Sequence, residues 1–186
     1  MKKSKKPKVI HCGPMEESDR VLGLDAASST GWCVMHPKGA VIEVGHEKFA
    51  PPKTGRKTIP DDHPGGRFQQ LHIFLRAVIQ KHGITHIAYE EPGGGAGRYA
   101  LLLEAGMRGV IYCLAAFYQI RIYSIAPGTL KKYATGNGHA DKEEMSIVLG
   151  GCHEIYLNQD DEVDAAWLAL WLIDLSTASH TPDAEA

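Results

Sequence analysis

Val21-Leu22-Gly23-Leu24-Asp25 is an apolar run with strand propensity that ends on a carboxylate and passes into Ala26-Ala27-Ser28-Ser29-Thr30-Gly31. Desolvating an unpaired carboxylate is costly, so Asp25 belongs at the edge of a sheet, facing water, a lysine or a metal ion. Taken alone, it reads equally well as a strand closed by an Asx turn. Two other acidic positions bear on the choice. The strand-like run Ile84-Thr85-His86-Ile87-Ala88-Tyr89 ends on Glu90, and Asp160-Asp161-Glu162-Val163-Asp164 opens an apolar, helix-like segment.

Around these acids the chain reads as alternating elements. Val21 to Asp25, Gly31 to Met35 and Ala40 to Phe49 form an antiparallel meander, with His36-Pro37-Lys38-Gly39 supplying the turn. Residues 50–66 are a loop of prolines and glycines carrying Lys53, Arg56 and Lys57. Phe68, Leu71, Leu75, Val78 and Ile79 recur at helical spacing, which predicts a helix from Arg67 to His82 that stops at Gly83. The strand from Ile84 to Glu90 follows, then a glycine-rich loop. Arg98 to Tyr118 is apolar nearly all round, the pattern of a helix buried on several sides. Ile120 to Ile125 is a strand that Pro127-Gly128 breaks, and helices follow over Leu130 to Ala134, Asp141 to Leu149 and Asp161 to Leu175. The expected fold is α/β, a mixed five-stranded sheet with helices on both faces. Residues 20–176 form the domain, residues 1–19 an arm and residues 177–186 a polar tail.

A chain of 186 residues is long enough for one full core, and 44% hydrophobic with 23% charged residues describes an ordinary globular protein. The net charge of −2 gives no global basic signal, but Lys2, Lys3, Lys5, Lys6 and Lys8 crowd the first eight residues. That density is either a solvated end or an arm that seeks phosphates. No signal peptide follows it, and the longest apolar stretch, Val110 to Phe117, is too short for a bilayer. The expected location is the cytoplasm, where Cys12, Cys33, Cys113 and Cys152 stay reduced.

Asp161 and Asp164 are three apart and fall on one helix face. Acids at a helix start are also simple caps. Capping explains one such acid, not four acids from three separate elements gathered at one sheet edge. Four clustered carboxylates raise one another's pKa unless cations offset them. An oxygen-only ligand set favours Mg²⁺ or Mn²⁺, and a pair of such ions is the machinery of phosphodiester hydrolysis.

Gly23-Leu24-Asp25 with Ser28-Ser29-Thr30-Gly31-Trp32, Ile87-Ala88-Tyr89-Glu90, Thr135-Gly136-Asn137-Gly138-His139-Ala140-Asp141-Lys142 and Asp161-Glu162-Val163-Asp164-Ala165-Ala166, in that order, resemble the RuvC-type Holliday junction resolvases. The resemblance implies an RNase H-like fold, a homodimer and paired, metal-dependent nicks in four-way or other branched DNA. It places the family's catalytic, metal-holding acids on Asp25, Glu90, Asp161 and Asp164, and its two functional lysines on Lys131 and Lys142. DNA contacts are expected from the Lys2 to Lys8 arm, Arg98, Tyr99 and Lys132. The chain departs from the bacterial enzymes after the second acid, where Pro92 and a glycine run replace an aromatic-bearing loop, with Tyr99 as a candidate substitute. The low charge and the compact Asp161-Glu162-Val163-Asp164 motif look more like the resolvases encoded by bacteriophages. An RNase H-type hybrid nuclease and a branched-DNA-binding protein without catalysis are the alternatives.

Overall fold

Asp25 ends the central strand of a five-stranded sheet. The structure, a computed structural model, describes residues 12–27, 29–49, 65–91 and 97–178. The strands are β1 (Val21–Asp25), β2 (Ser29–Met35), β3 (Val41–Lys48), β4 (His86–Glu90) and β5 (Arg121–Ile125). The helices are α1 (Gly65–His82), α2 (Arg98–Tyr118), α3 (Pro127–Thr135), α4 (Lys142–His153) and α5 (Asp160–Ala178). The strand order is β3-β2-β1-β4-β5. The β1–β2 and β2–β3 pairs are antiparallel, and the β1–β4 and β4–β5 pairs are parallel. The sheet is therefore mixed, as the sequence predicts, and β1 and β4 run side by side in one direction. That direction brings Asp25 and Glu90 to the same edge.

Alternation along the strands divides the core in two. Val21 of β1 and Ala88 of β4 belong to the core under α3, α4 and α5, whereas Leu22, Leu24 and Ile87 belong to the core under α1 and α2. Residues two apart share a face, so Asp25 and Glu90 both lie on the α5 side. Helices cover both faces.

α5 lies directly on the sheet. A Cβ on Gly23 would collide with the Ala165 carbonyl oxygen, and one on Gly31 would collide with the Asp161 backbone. Only glycine at these two strand positions lets the helix approach so closely. The first of these contacts fixes the middle of α5. The second fixes its acidic start.

Several sequence expectations change here. α5 is the helix buried nearly all round, from Val163 through Ile173. α2 is built into the core only along Leu103, Met107, Ile111, Leu114 and Ala115, and it exposes Leu101, Leu102, Tyr112 and Phe117. An all-round apolar pattern records the absence of charge, not the presence of a covering element. The 19 residues Ala100–Tyr118 are also long and apolar enough by composition to cross a bilayer, against the expectation that no stretch is. Pro127 opens α3 instead of merely ending β5, because a helix's first turn does not use the N–H that proline lacks.

Candidate active site

Three elements bring four acids to the C-terminal edge of β1 and β4. Asp25 comes from β1, Glu90 from β4, and Asp161 and Asp164 from the first turns of α5. The start of α5 is tied down by side chains from the meander. Ser29 Oγ donates to Asp161 Oδ2 at 2.5 Å, and His46 Nδ1 lies 3.0 Å from Glu162 Oε1. Behind Asp25, the buried Thr30 hydroxyl donates to the Ala27 carbonyl at 2.7 Å and holds the turn.

The lysines reach this edge from α3, which carries Lys131, and from the first residue of α4, Lys142, on either side of the joining segment. Gly136, at φ +80°, caps α3 in the left-handed region. Thr135 Oγ1 accepts from Asn137 N–H at 3.1 Å, and Asn137 Oδ1 accepts from His139 N–H at 3.0 Å. Asp141 then caps α4 in a reciprocal box with Glu144, which satisfies the free donors of the helix start. These local bonds make Thr135-Gly136-Asn137-Gly138-His139-Ala140-Asp141-Lys142 a rigid bridge between two lysines. Lys131 Nζ donates to the Ala140 carbonyl at 2.7 Å. Lys142 Nζ stands 3.6 Å from Asp160, 4.0 Å from Asp161 and 3.9 Å from Asp164.

Burial first, and then mutual repulsion, raises the acids of this edge. Asp25 is pushed up to about 7, first by burial and then by the charges of Asp164, Glu90 and Asp161, with Lys142 opposing. Glu90 is also pushed up to about 7, by burial and by Asp164, against Lys131 and Lys142. Asp164 is raised as well, chiefly by burial, with Lys142 opposing. Carboxylates held near neutral pKa values in a cleft mark a functional site more often than a structural one. Capping does not explain Asp164, which lies a turn inside α5 and faces Lys142.

The donor set fits a hard divalent cation, since every acid is an oxygen ligand and a cation would relieve the repulsion that adds to burial in raising Asp25 and Glu90. As their side chains lie, no three acids, histidines or cysteines among the described residues stand close enough together to hold an ion.

Glu90, not Glu91, faces α5. Glu91 accepts from Ser124 Oγ at 2.8 Å. A cavity at this edge is lined by Asp25, Ala26, Ala27, Glu90 and Glu91, together with Glu104 and Arg108 of α2. The sequence reading passed over Glu104 and Arg108, whose spacing on a helix says nothing about which strand ends they reach. It also missed the Ser29–Asp161 contact, between residues 132 positions apart. Lys132 is exposed on α3 beside Lys131. The Lys2 to Lys8 arm, the loop with Lys53, Arg56 and Lys57, the glycine run and the side chains of Arg98 and Tyr99 lie outside the described residues.

The family model for the crossover junction endodeoxyribonuclease RuvC matches residues 21–170. The RuvC of Bradyrhizobium diazoefficiens is 30% identical over 139 residues, 73% of this chain and 75% of that protein. The RuvC of Rickettsia bellii is 29% identical over 154 residues, 80% of this chain and 93% of that protein. Among solved structures, Thermus thermophilus RuvC in complex with a Holliday junction substrate superposes with a TM-score of 0.69 at 21% identity, covering 87% of this chain and 95% of that one. The yeast mitochondrial Holliday junction resolvase superposes with a TM-score of 0.65 at 15% identity, covering 89% of this chain and 82% of that one. At such identities the superpositions show the fold, which is RNase H-like.

Proposed function

The chain belongs to the RuvC family of crossover junction endodeoxyribonucleases, and from that premise we propose that it resolves Holliday junctions by paired, Mg²⁺-dependent nicking. The observation that supports the site assignment is the convergence of Asp25, Glu90, Asp161 and Asp164 on one sheet edge from three elements, with Asp25, Glu90 and Asp164 all raised in pKa. In this reading the four acids hold a pair of Mg²⁺ ions, for which Mn²⁺ can substitute. Bound there, the cations would supply a water of lowered pKa and would offset negative charge on the phosphodiester.

The reaction is hydrolysis. Water adds to phosphorus, the bond to one bridging oxygen breaks, and that oxygen takes up a proton. Lys131 and Lys142 hold the scissile phosphate and offset charge that develops on it. Their fixed placement by the α3–α4 bridge supports this role, because a charge already in position needs no reorganisation. Lys132, Arg98, Tyr99 and the Lys2 to Lys8 arm supply further DNA contacts outside the chemistry. The nuclease domain takes in residues 20–176 together with Cys12, which is buried in its core, and the end of α5 at Ala178, and the enzyme works in the cytoplasm.

A junction with two-fold symmetry needs two cuts, and a homodimer supplies them. The exposed Ile73 of α1 and Leu101, Leu102, Tyr112 and Phe117 of α2 offer an apolar face for a second copy. Sedimentation at micromolar concentration should show a dimer, and Leu102→Asp should yield monomers.

The deciding experiment is nicking of a synthetic four-way junction in Mg²⁺, in competition with linear duplex and with an RNA–DNA hybrid. Junction cleavage that survives both competitors supports resolution. Preferential loss of cleavage to the hybrid would place the enzyme with the hybrid nucleases of the same fold. Junction binding without cleavage would make it a branched-DNA-binding protein.

A further inference from the structure

The acidic cleft has a second wall, built by the helix on the opposite face of the sheet. Glu104 and Arg108 of α2 reach past the ends of β1 and β4 and line the cavity that contains Asp25 and Glu90. Their spacing of four residues is the one at which Glu and Arg normally pair along a helix. Here Arg108 Nε donates instead to the Glu104 backbone carbonyl at 3.4 Å. Among the described residues Glu104 Oε2 is buried without a hydrogen-bond partner, and no carboxylate forms an ion pair with the Arg108 guanidinium.

The other cations of the cleft have protein partners but keep ammonium N–H donors to spare for the scissile phosphate. Lys142 is shared among three acids and Lys131 is bonded to a backbone carbonyl. Both approach from the α5 side. Among the described residues lining the cavity, Arg108 is thus the cation on the α2 side, with its terminal nitrogens uncommitted to a protein carboxylate. Guanidinium is the side chain best shaped for a phosphate, which it grips through two parallel N–H donors.

We propose that Arg108 binds a backbone phosphate of the cleaved strand next to the scissile one, on the α2 side of the cleft. A strand crossing the sheet edge would then be held on both sides of the acids, with the lysines at the scissile phosphate and Arg108 at its neighbour. Arg108 is a positioning residue in this scheme, since it grips a group that does not react. The inference rests on the reading of the cleft as a DNA-cleaving site.

The test uses the full chain and a synthetic four-way junction. Affinity is measured in EDTA between 50 and 200 mM salt, cleavage is measured in Mg²⁺, and thermal melting is followed for every variant. Arg108→Gln should weaken junction binding about tenfold and lower the slope of log affinity against log salt by about one. Cleavage at low substrate should fall more than cleavage at saturation, and the melting temperature should hold. Arg108→Lys should recover the salt slope but only part of the affinity, because its ammonium lacks the fork. Unchanged affinity and slope for Arg108→Gln would overturn the inference. So would a lowered melting temperature with a wild-type slope, which describes a packing role; Arg108→Met, which keeps the aliphatic stem, repeats the measurement if Arg108→Gln does not fold. Binding in EDTA is independent of turnover, so a wild-type protein that fails to cut the junction counts against the functional reading and leaves the Arg108 result to stand or fall separately.

Discussion

Glu43 on β3 and Asp25 on β1 are both strand carboxylates, and their surroundings push them in opposite directions. Glu43 Oε2 lies 2.6 Å from Lys81 Nζ and 2.6 Å from His82 Nε2, and these partners hold its pKa below the usual range. One acid between two bases at the end of α1 is a fastener between helix and sheet. Asp25 is buried among Asp164, Glu90 and Asp161 with Lys142 opposing, and burial first, then those charges, raises its pKa to about 7. Buried acids that outnumber their cations make the folded state less comfortable as they ionise. Such a cluster makes sense where a cation from solution completes it.

The largest test of this contrast is cleavage. Asp25→Asn, Glu90→Gln, Asp161→Asn and Asp164→Asn should each lower junction nicking by about 10²–10³-fold or more, the scale of removing one preorganised charge-stabilising group. Glu43→Gln should leave it within about twofold. Gel-shift affinity in EDTA should persist for the four site variants. A variant of Asp25 or Glu90 that folds normally and cuts at the wild-type rate would remove it from the site.

A second test concerns how α5 is seated. Gly31→Ala puts a methyl into the Asp161 backbone, so the start of α5 must shift and take two of the acids with it. Overpacking of this kind costs about 1–3 kcal/mol or more, and both melting temperature and cleavage should fall. Gly151→Ala in α4 meets no atom within 4 Å and should hold or raise the melting temperature, since alanine favours a helix over glycine by about 0.5–1 kcal/mol.

The four acids were legible in the sequence because each ends a recognisable pattern. Strand alternation puts Asp25 and Glu90 on one face, and helical spacing puts Asp161 beside Asp164. The lysine-bearing bridge was legible through its turn residues and its resemblance to the family. The close seating of α5 was not, since Gly23 and Gly31 look like ordinary interruptions of a strand until the helix above them is in place. Arg108 was hidden for the same reason. Its position depends on where α2 crosses the sheet, a tertiary fact with no local signature. The exposed face of α2 escaped because composition does not distinguish a helix covered by its own chain from one left for a partner.

The pH dependence of stability separates the two acids more finely. Asp25 and Glu90 have folded pKa values near 7, above their unfolded values of about 3.9 and 4.3. The folded state therefore binds more protons across that interval. Their stabilisation is complete below about pH 4 and is lost as pH rises through 7, up to about 4 kcal/mol for Asp25 alone. In EDTA the wild-type melting temperature should fall over this window, and Asp25→Asn should flatten the fall and exceed wild type at pH 8. Glu43 has the opposite sign, with a folded pKa below its unfolded value. Its contribution is present above about pH 4.3 and disappears as pH drops. Glu43→Gln should lower the melting temperature slightly at pH 7 and hardly at all at pH 3, the smallest of these effects because the pair is solvent-exposed.

Calorimetric titration of the protein with Mg²⁺ and Mn²⁺ at pH 6, 7 and 8, in buffers of different ionisation enthalpy, tests most directly whether the acids form one cation site. Ligands near half-protonation must release protons when a cation binds. The expected result is binding that tightens with pH, net proton release at pH 6 and 7 that diminishes at pH 8, and loss of both in Asp164→Asn. Binding independent of pH with no proton release, or identical binding in Asp164→Asn, would contradict a shared site at Asp25, Glu90, Asp161 and Asp164.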